Sequence, residues 1–269
     1  MSLYLLFDVG NTRLKWAAVE STKQPSDRQK KLWAYSGSIS SKSLSSKEHK
    51  AELADYISKT LPKPDAIAFC CVAGQEAIEN LQSLFPQWGD IAWKQLKGDT
   101  PFTGMRTLYQ TPSQLGADRW AAAIGARALS SNNTLIVNAG TATTIDLLGS
   151  NGVHYGGWIL PGLEMMQASL QSNTAQLPLA TRVEHHGFAT NTNNAIIGGC
   201  DAAQIGAIQY AMQQAKEINC PVERVWIDGG NAKILANEIA KLKLPTSIAI
   251  EPIDGLVLRG AWSWLLQNV

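Results

Sequence analysis

The sequence lacks an apolar run long enough to cross a membrane, because no stretch reaches the roughly 18 residues that such a helix needs. It also lacks an excess of charge of either sign, with 23 basic and 22 acidic residues. A nearly balanced charge is a poor match for nucleic acid or an anionic membrane surface. We therefore expect neither nucleic acid nor a membrane as the main partner.

Cysteine and histidine are scarce, with four residues of each, and neither set has the spacing of metal ligands. Cys70 and Cys71 lie together in an apolar, strand-like run, where packing is the more common role. His185 and His186 are adjacent and indicate a loop rather than a site. The chain starts without the basic segment of a secretory signal. These features favour a reducing compartment, and we expect a cytoplasmic protein.

A hairpin near the start of the sequence has the pattern of a phosphate-binding turn. An apolar strand ends in Asp8, the chain turns at Gly10, and a second strand carries Lys15. Gly10 lets the backbone approach a phosphate, because it has no Cβ. Asn11 and Thr12 supply polar donors, and a carboxylate such as Asp8 is a typical Mg²⁺ ligand. An ordinary hairpin would use the same Gly-Asn pair.

A second hairpin repeats this internal spacing. Asn138 and Gly140 follow an apolar strand just as Asp8 and Gly10 do. A third glycine turn, Asp228–Gly230, lies between a strand and a helical stretch. Glycine turns and helix N-termini both present free N–H groups to anions. The three turns together indicate a nucleotide held between two similar lobes.

Hydrophobic periodicity predicts the same plan twice, namely three strands followed by alternating helices and strands. The predicted strands are Leu3–Val9, Arg13–Val19, Lys31–Ser38, Asp65–Ala73, Ile91–Lys97, Thr134–Asn138, Thr143–Leu148, Val153–Leu160, Val222–Asp228 and Thr246–Glu251. The predicted helices are Lys47–Thr60, Gln75–Phe85, Ala117–Leu129, Leu163–Gln171, Asn193–Glu217, Ala232–Leu242 and Leu256–Gln267. We expect an α/β protein of two lobes, 1–115 and 116–269, each a mixed β-sheet flanked by helices.

Four stretches carry a family resemblance. They are Asp8–Thr12 with Lys15, Tyr109–Trp120, Gly140–Asp146 and Gly156–Gly162. In this order they resemble the type III pantothenate kinase family of the acetate/sugar kinase, actin and heat-shock-chaperone superfamily. The resemblance implies two ribonuclease-H-like lobes with an interlobe nucleotide cleft. It also implies ATP-dependent phosphorylation of pantothenate to 4′-phosphopantothenate, the first step of coenzyme A biosynthesis.

The resemblance also implies the residues that bind the nucleotide. They are Asp8, Val9, Gly10, Asn11, Thr12, Arg13, Leu14, Lys15 and Thr141. In this interpretation Asp8 holds Mg²⁺ and Thr141 donates to an ATP phosphate. Thr141 would otherwise be a β-branched strand residue like Thr143 and Thr144.

On the acceptor side, the resemblance implies Asp118 as the general base. It implies that pantothenate binds to Tyr109, Gly116, Ala117, Asp118, Arg119 and Thr192. Three of these residues have a structural alternative: Asp118 as an acid favoured by the helix dipole, Arg119 as a surface ion pair, and Tyr109 as a core aromatic.

Thr192 and Asn138 carry two further expectations. The resemblance implies that Thr192 reaches pantothenate in the neighbouring subunit of a homodimer, whose active site lies at the subunit interface. Thr192 could instead be the N-cap of the helix that follows it, and Thr190 competes for the same role. The family usually has an aspartate at position 138, which ligates K⁺ or NH₄⁺. Asn138 retains an oxygen ligand without a charge, so we expect a weaker or absent monovalent-cation requirement.

Two other functions stay open at this point. One is a catalytically weak, nucleotide-binding regulator of the Bvg-accessory-factor type, which Asn138 mildly favours. The other is a different superfamily member, such as a sugar kinase or a phosphatase acting on polyphosphate. The acidic and basic residues Asp8, Lys15, Asp118 and Arg119 favour the kinase.

Overall fold

The computed structural model describes residues 2–28, 32–183, 187–242, 245 and 247–268. The β-strands are β1 Leu3–Val9, β2 Arg13–Glu20, β3 Tyr35–Ser40, β4 Ala66–Cys71, β5 Trp93–Gln95, β6 Arg106–Thr107, β7 Thr134–Ala139, β8 Ala142–Leu148, β9 Val153–Pro161, β10 Arg224–Asp228 and β11 Ala249–Pro252. The helices are α1 Lys47–Thr60, α2 Gln75–Gln82, α3 Ala117–Leu129, α4 Leu163–Asn173, α5 Thr192–Glu217, α6 Ala232–Ala240 and α7 Leu256–Leu266. Among the described residues, no helix is long and apolar enough to span a bilayer.

The chain forms two compact units. The first runs to Ser131 and also includes Asn151–His154 and the chain from Gly255 onward. The second comprises Asn132–Ser150 and Tyr155–Asp254. These units group residues that contact one another. The predicted lobes 1–115 and 116–269 instead divide the sequence where its pattern repeats. The boundary between the lobes therefore stays a prediction.

The sheet of the first unit has the strand order β3-β2-β1-β4-β5. Its central strand β1 pairs antiparallel with β2 and parallel with β4. The apolar residues of β1 are buried on both faces, as expected for a strand with neighbours on each side and helices above and below. Phe7, Phe69 and Phe85 pack in its core.

The second sheet has six strands in the order β6-β9-β8-β7-β10-β11, and its strands from β9 to β11 repeat this arrangement. Its central strand β7 pairs antiparallel with β8 and parallel with β10. The α/β fold of two mixed sheets flanked by helices is therefore confirmed.

Most predicted elements are confirmed with small differences at their ends, and three strands differ more. Strand β3 begins at Tyr35, later than the predicted start at Lys31, which lies outside the described residues. Thr246, the predicted start of the last strand, also lies outside them. Strand β6 was missed, since a two-residue strand has no periodicity; it pairs with Val153–His154 within the first unit.

Helices α3 and α7 pack unusually closely in the first unit. A Cβ added to Gly125 of α3 would lie 2.2 Å from the carbonyl oxygen of Leu256. A Cβ added to Gly260 of α7 would lie 1.8 Å from the carbonyl oxygen of Ala121. Because both contacts are with backbone, only glycine allows this approach. The packing holds α3, whose first turn carries Asp118.

We predict that Gly260→Ala lowers the free energy of unfolding by about 1–3 kcal/mol, since the new methyl overlaps the backbone of α3. Urea denaturation measures this change. The matched control is Gly206→Ala in α5, where an added Cβ meets open space. That variant should be stabilised by up to about 1 kcal/mol, because alanine is the better helix former. Equal effects of the two substitutions would contradict the packing argument.

Candidate active site

Asp8 lies near the end of β1 between two paired strands. Its register partners are Lys15 in β2 and Cys70 in β4. Asp8 and Lys15 are both half-buried. The strand pairing therefore places a carboxylate beside a lysine position on one side and a thiol position on the other.

The turn after β1 has the tight backbone that its glycine predicts. The Gly10 amide donates to the carbonyl of Arg13 at 3.0 Å, and an added Cβ would lie 3.3 Å from that oxygen. Ser41, which follows β3, holds the turn with two hydrogen bonds. Its Oγ donates to the Gly10 carbonyl at 2.5 Å, and its amide donates to the Thr12 carbonyl at 2.9 Å. The side chains of residues 11–13 are exposed. The polar groups of this turn are thus accessible to a ligand.

Asp118 sits in the first turn of α3 and folds back toward the helix start. Its Oδ1 accepts a hydrogen bond from the Arg119 amide at 2.8 Å. A Cβ added to Gly116, the N-cap residue, would lie 2.6 Å from the same oxygen. Gly116 therefore provides the space for this carboxylate, and the helix N-terminus stabilises its negative charge.

The charges of Asp8 and Asp118 both act on one buried thiol, that of Cys70, which is the register partner of Asp8. Burial raises the pKa of Cys70 well above its ordinary value, and the negative charges of Asp8 and Asp118 raise it further. Cys71 is half-buried, and burial raises the pKa of its thiol with a smaller contribution from Asp8. The first unit thus brings together the end of β1 and the start of α3, although more than 100 residues separate them in the sequence.

Arg119 and Tyr109 form a close pair beside this carboxylate. The guanidinium of Arg119 donates to the Tyr109 hydroxyl at 2.5 Å, and its central carbon lies 5.5 Å from the centroid of the ring. Arg119 is buried, with 4% of its surface exposed, so it is not the surface ion pair that was one alternative. Tyr109 is half-buried and also stacks on His154, a residue that the sequence did not single out.

Asn138 occupies in the second unit the strand-end position that Asp8 has in the first. It is half-buried, and its register partners are Thr144 in β8 and Asp228 in β10. Asp228 is buried, and its Oδ1 accepts a hydrogen bond from the Gly229 amide at 2.6 Å. A neutral amide therefore neighbours a carboxylate across two parallel strands.

The turn after β7 is packed against a second glycine. The Gly140 amide donates to the carbonyl of Ala142 at 3.1 Å. The amide of Gly162 donates to the Thr141 carbonyl at 2.9 Å, and a Cβ on Gly162 would lie 2.2 Å from the Gly140 carbonyl. The side chain of Thr141 is exposed. The stretch ending in Gly162 thus supports the turn and leaves the Thr141 side chain accessible.

Thr192 is the first residue of α5 and is exposed. The N-cap is Asn191, whose Oδ1 accepts from the Asn194 amide at 2.9 Å. The alternative of Thr192 as N-cap is therefore wrong, because the asparagine one residue earlier caps the helix. The adjacent His185 and His186 lie outside the described residues.

The site residues are divided between the units. The first unit holds the β1 turn with Lys15, Tyr109 and Gly116–Arg119, whereas the second holds Asn138, Thr141 and Thr192. Within the described part of the chain, no group of three or more histidine, cysteine or acidic side chains is placed to bind a metal. A metal ion here would therefore depend on one or two carboxylates, water and substrate oxygens.

Comparison with known proteins shows which family this chain is similar to. A sequence profile described as type III pantothenate kinase matches residues 4–214. The chain is 37% identical over 266 residues to the type III pantothenate kinase of Herminiimonas arsenicoxydans, covering 96% of this chain and 95% of that one. It is 34% identical over 264 residues to the type III pantothenate kinase of Aromatoleum aromaticum, covering 96% of each.

Solved structures show a similar fold. A conserved protein of the Baf family of transcriptional activators from Campylobacter jejuni aligns with a TM-score of 0.59, at 21% identity and over 98% of each chain. A glucokinase from an Antarctic psychrotroph aligns with a TM-score of 0.50, at 12% identity and over 100% of each chain. At these identities the likeness shows the fold alone.

The repeated sheets and their strand-end turns give the chain a two-unit mixed α/β fold, which the glucokinase structure shares. Within that fold, the profile and the relatives above 30% identity decide the family over nearly the whole chain. The chain belongs to the type III pantothenate kinase family. Kinases of this family use ATP and a divalent metal ion.

Proposed function

We propose that this chain transfers the γ-phosphoryl group of ATP to the primary hydroxyl of pantothenate, giving 4′-phosphopantothenate and ADP. Family membership supports the reaction. The observation that carries the assignment of roles is that one unit holds both carboxylates, Asp8 as the register partner of Cys70 and Asp118 at the start of α3, and that both charges raise the pKa of the Cys70 thiol. One carboxylate belongs to the phosphate-type turn and the other to the segment implied for pantothenate. Nothing in the comparisons supports the regulatory alternative, because the likeness to the Baf protein is one of fold.

The β1 turn is the proposed site for the ATP phosphates. Asp8 fits Mg²⁺, which is commonly held by one or two carboxylates together with water and substrate phosphates. When bound, the metal neutralises charge on the phosphoryl group. Lys15, the register partner of Asp8, adds a positive charge, and the exposed Thr12 adds a hydroxyl donor. In the second unit, the exposed Thr141 offers a hydroxyl donor to phosphate.

The start of α3 is the proposed site for pantothenate. Asp118 orients the primary hydroxyl and accepts its proton as the new oxygen–phosphorus bond forms. An aspartate is a weak base, but phosphoryl transfer depends mainly on positioning and charge neutralisation. Arg119 and Tyr109 present a guanidinium and a hydroxyl to the polar groups of the substrate, and Gly116 with Ala117 forms the adjoining backbone.

We predict that Asp118→Asn lowers the turnover number at least about a hundredfold, because the amide cannot accept the hydroxyl proton. Pantothenate-dependent release of ADP measures turnover, and calorimetry should show that pantothenate still binds. The control is Asp55→Asn, which removes an exposed carboxylate on α1 that pairs with Lys59 at 2.8 Å. Unchanged turnover in Asp118→Asn would refute the assignment of the base.

A monovalent cation, K⁺ or NH₄⁺, belongs to this proposal only in a reduced role. Asn138 offers a neutral oxygen at the position implied for the cation, and the neighbouring carboxylate of Asp228 already accepts the Gly229 amide. The oxygen ligands at this position should therefore bind a monovalent cation more weakly than a site with an aspartate at position 138.

Replacing K⁺ and NH₄⁺ by Na⁺ should leave roughly half or more of the turnover, because Asn138 brings no charge to the site. The same assay at constant ionic strength measures it. Asn138→Asp is the matched variant and should increase the dependence on K⁺. Complete loss of turnover in Na⁺ would rule out the reduced role.

We also propose a homodimer in which Thr192 completes the neighbouring subunit's site. The second unit exposes large apolar side chains on β9, α4 and α5, namely Trp158, Ile159, Met165 and Tyr210, of which Ile159 is 66% exposed. Trp158 and Tyr210 stack on each other with ring centroids 5.4 Å apart. Exposed apolar side chains of this kind are common at subunit interfaces. A cytoplasmic location is part of the proposal, since the reaction consumes ATP and all four cysteines are free thiols.

A complementation experiment tests the shared site. Asp118→Asn and Thr192→Ala should each be nearly inactive alone. Doubly tagged heterodimers of the two should recover about half of the wild-type turnover, because a twofold dimer then contains one intact site. A heterodimer as inactive as its parents, or a monomer by light scattering, would contradict the shared site.

A further inference from the structure

His154 is a buried titratable residue close to the proposed pantothenate side, and the mechanism above does not use it. It is the second residue of β9, and its side chain has no exposed surface. Its register partner in the parallel pair of β6 and β9 is Thr107. Thr107 lies only two residues before Tyr109, so this pairing connects His154 to the proposed substrate contact.

A hydrogen-bonded link joins His154 to the backbone of Tyr109. Nδ1 of His154 lies 2.9 Å from Oγ1 of Thr107. The same Oγ1 accepts a hydrogen bond from the Tyr109 amide at 3.2 Å. In addition, the Leu108 amide donates to the His154 carbonyl at 2.9 Å. The segment that leads into Tyr109 is therefore bound to the start of β9.

The His154 ring also supports the Tyr109 side chain. The two rings are stacked, with centroids 6.1 Å apart and planes inclined by 19°. The ring of Trp120 also packs against His154 in a T-shaped arrangement, with ring centroids 6.0 Å apart. The indole N–H of Trp120 donates to the Thr100 carbonyl at 2.8 Å. His154 thus contacts both Tyr109 and Trp120, which is the second residue after Asp118 in α3.

Tyr109 is consequently held at three points: its amide by Thr107, its ring by His154 and its hydroxyl by Arg119. Two of these three contacts involve His154 or its direct partner. Loss of either contact would let the tyrosine ring shift relative to Arg119. Displacements of about 1 Å in a binding group are enough to alter kinetics strongly.

We propose that His154 is a positioning residue for pantothenate, which acts by holding the Tyr109–Arg119 pair in place. This inference rests on the proposed function, because it takes Tyr109 and Arg119 as substrate contacts. The imidazole contributes in two separable ways. Its ring stacks on Tyr109, and its Nδ1 pairs with the Thr107 hydroxyl that holds the tyrosine backbone.

Two substitutions separate these contributions. His154→Phe keeps a stacking ring and removes the hydrogen bond, whereas His154→Asn keeps a polar atom near Nδ1 and removes the ring. We expect His154→Phe to raise KM for pantothenate about fivefold, the typical effect of one neutral hydrogen bond. His154→Asn should raise it about tenfold, because an aromatic contact and its packing are lost. KM for ATP should change less than about twofold in both, since the proposed ATP turn is a separate segment.

The experiment measures kcat and both KM values for the full chain, with thermal unfolding of each variant. His49→Ala is the control, because His49 is an exposed histidine on α1. If the His154 variants do not fold, Thr107→Val tests the same link with the imidazole in place, and it too should raise only the pantothenate KM. A merely structural role would lower the unfolding temperature and kcat while leaving both KM values unchanged, and that result would overturn the inference.

The proposed function and the positioning role of His154 can fail separately. Wild-type protein without pantothenate-dependent ADP release would overturn the proposed function, and the inference with it. An active wild type whose His154 and Thr107 variants keep the wild-type pantothenate KM would overturn the inference alone.

Discussion

The close contact between α3 and α7 is the constraint on which the candidate site depends. Two glycines, Gly125 and Gly260, let the backbones of these helices meet, and a methyl group at either position would overlap a carbonyl oxygen. Helix α3 carries Asp118 in its first turn, and Gly116 leaves room for that carboxylate. Because α7 comes from the far end of the chain, the last helix stabilises a site built mostly from the first half of the sequence.

The two sheets share one order over five strands, but their central hairpins differ in length and charge. The last paired residues are Val9 with Leu14 in the first hairpin and Ala139 with Thr143 in the second, so the second turn is one residue shorter. In the first hairpin Asp8 pairs with Lys15, whereas in the second Asn138 pairs with Thr144. This difference agrees with the proposal that the metal and most phosphate contacts belong to the first hairpin.

The sequence predicted those features that depend on local patterns. The bounds of α3 were correct, because Gly116 marks its start and an alanine-rich stretch follows. The repeated sheets followed from periodicity. What the sequence did not reveal depends on distant pairing: β6 is too short for any period, and His154 becomes notable only because β6 and β9 bring it to Thr107. The cap of α5 was missed since Asn191 and Thr192 are both good capping residues and only geometry chooses between them.

The most direct test of the account is a crystal structure of the protein with pantothenate, a non-hydrolysable ATP analogue and Mn²⁺ in place of Mg²⁺. The account predicts an anomalous peak beside the Asp8 carboxylate. It also predicts the pantothenate primary hydroxyl within hydrogen-bond distance, about 2.6–3.2 Å, of an Asp118 oxygen. A metal bound away from Asp8, or a hydroxyl held by a residue other than Asp118, would contradict the roles assigned to these two carboxylates.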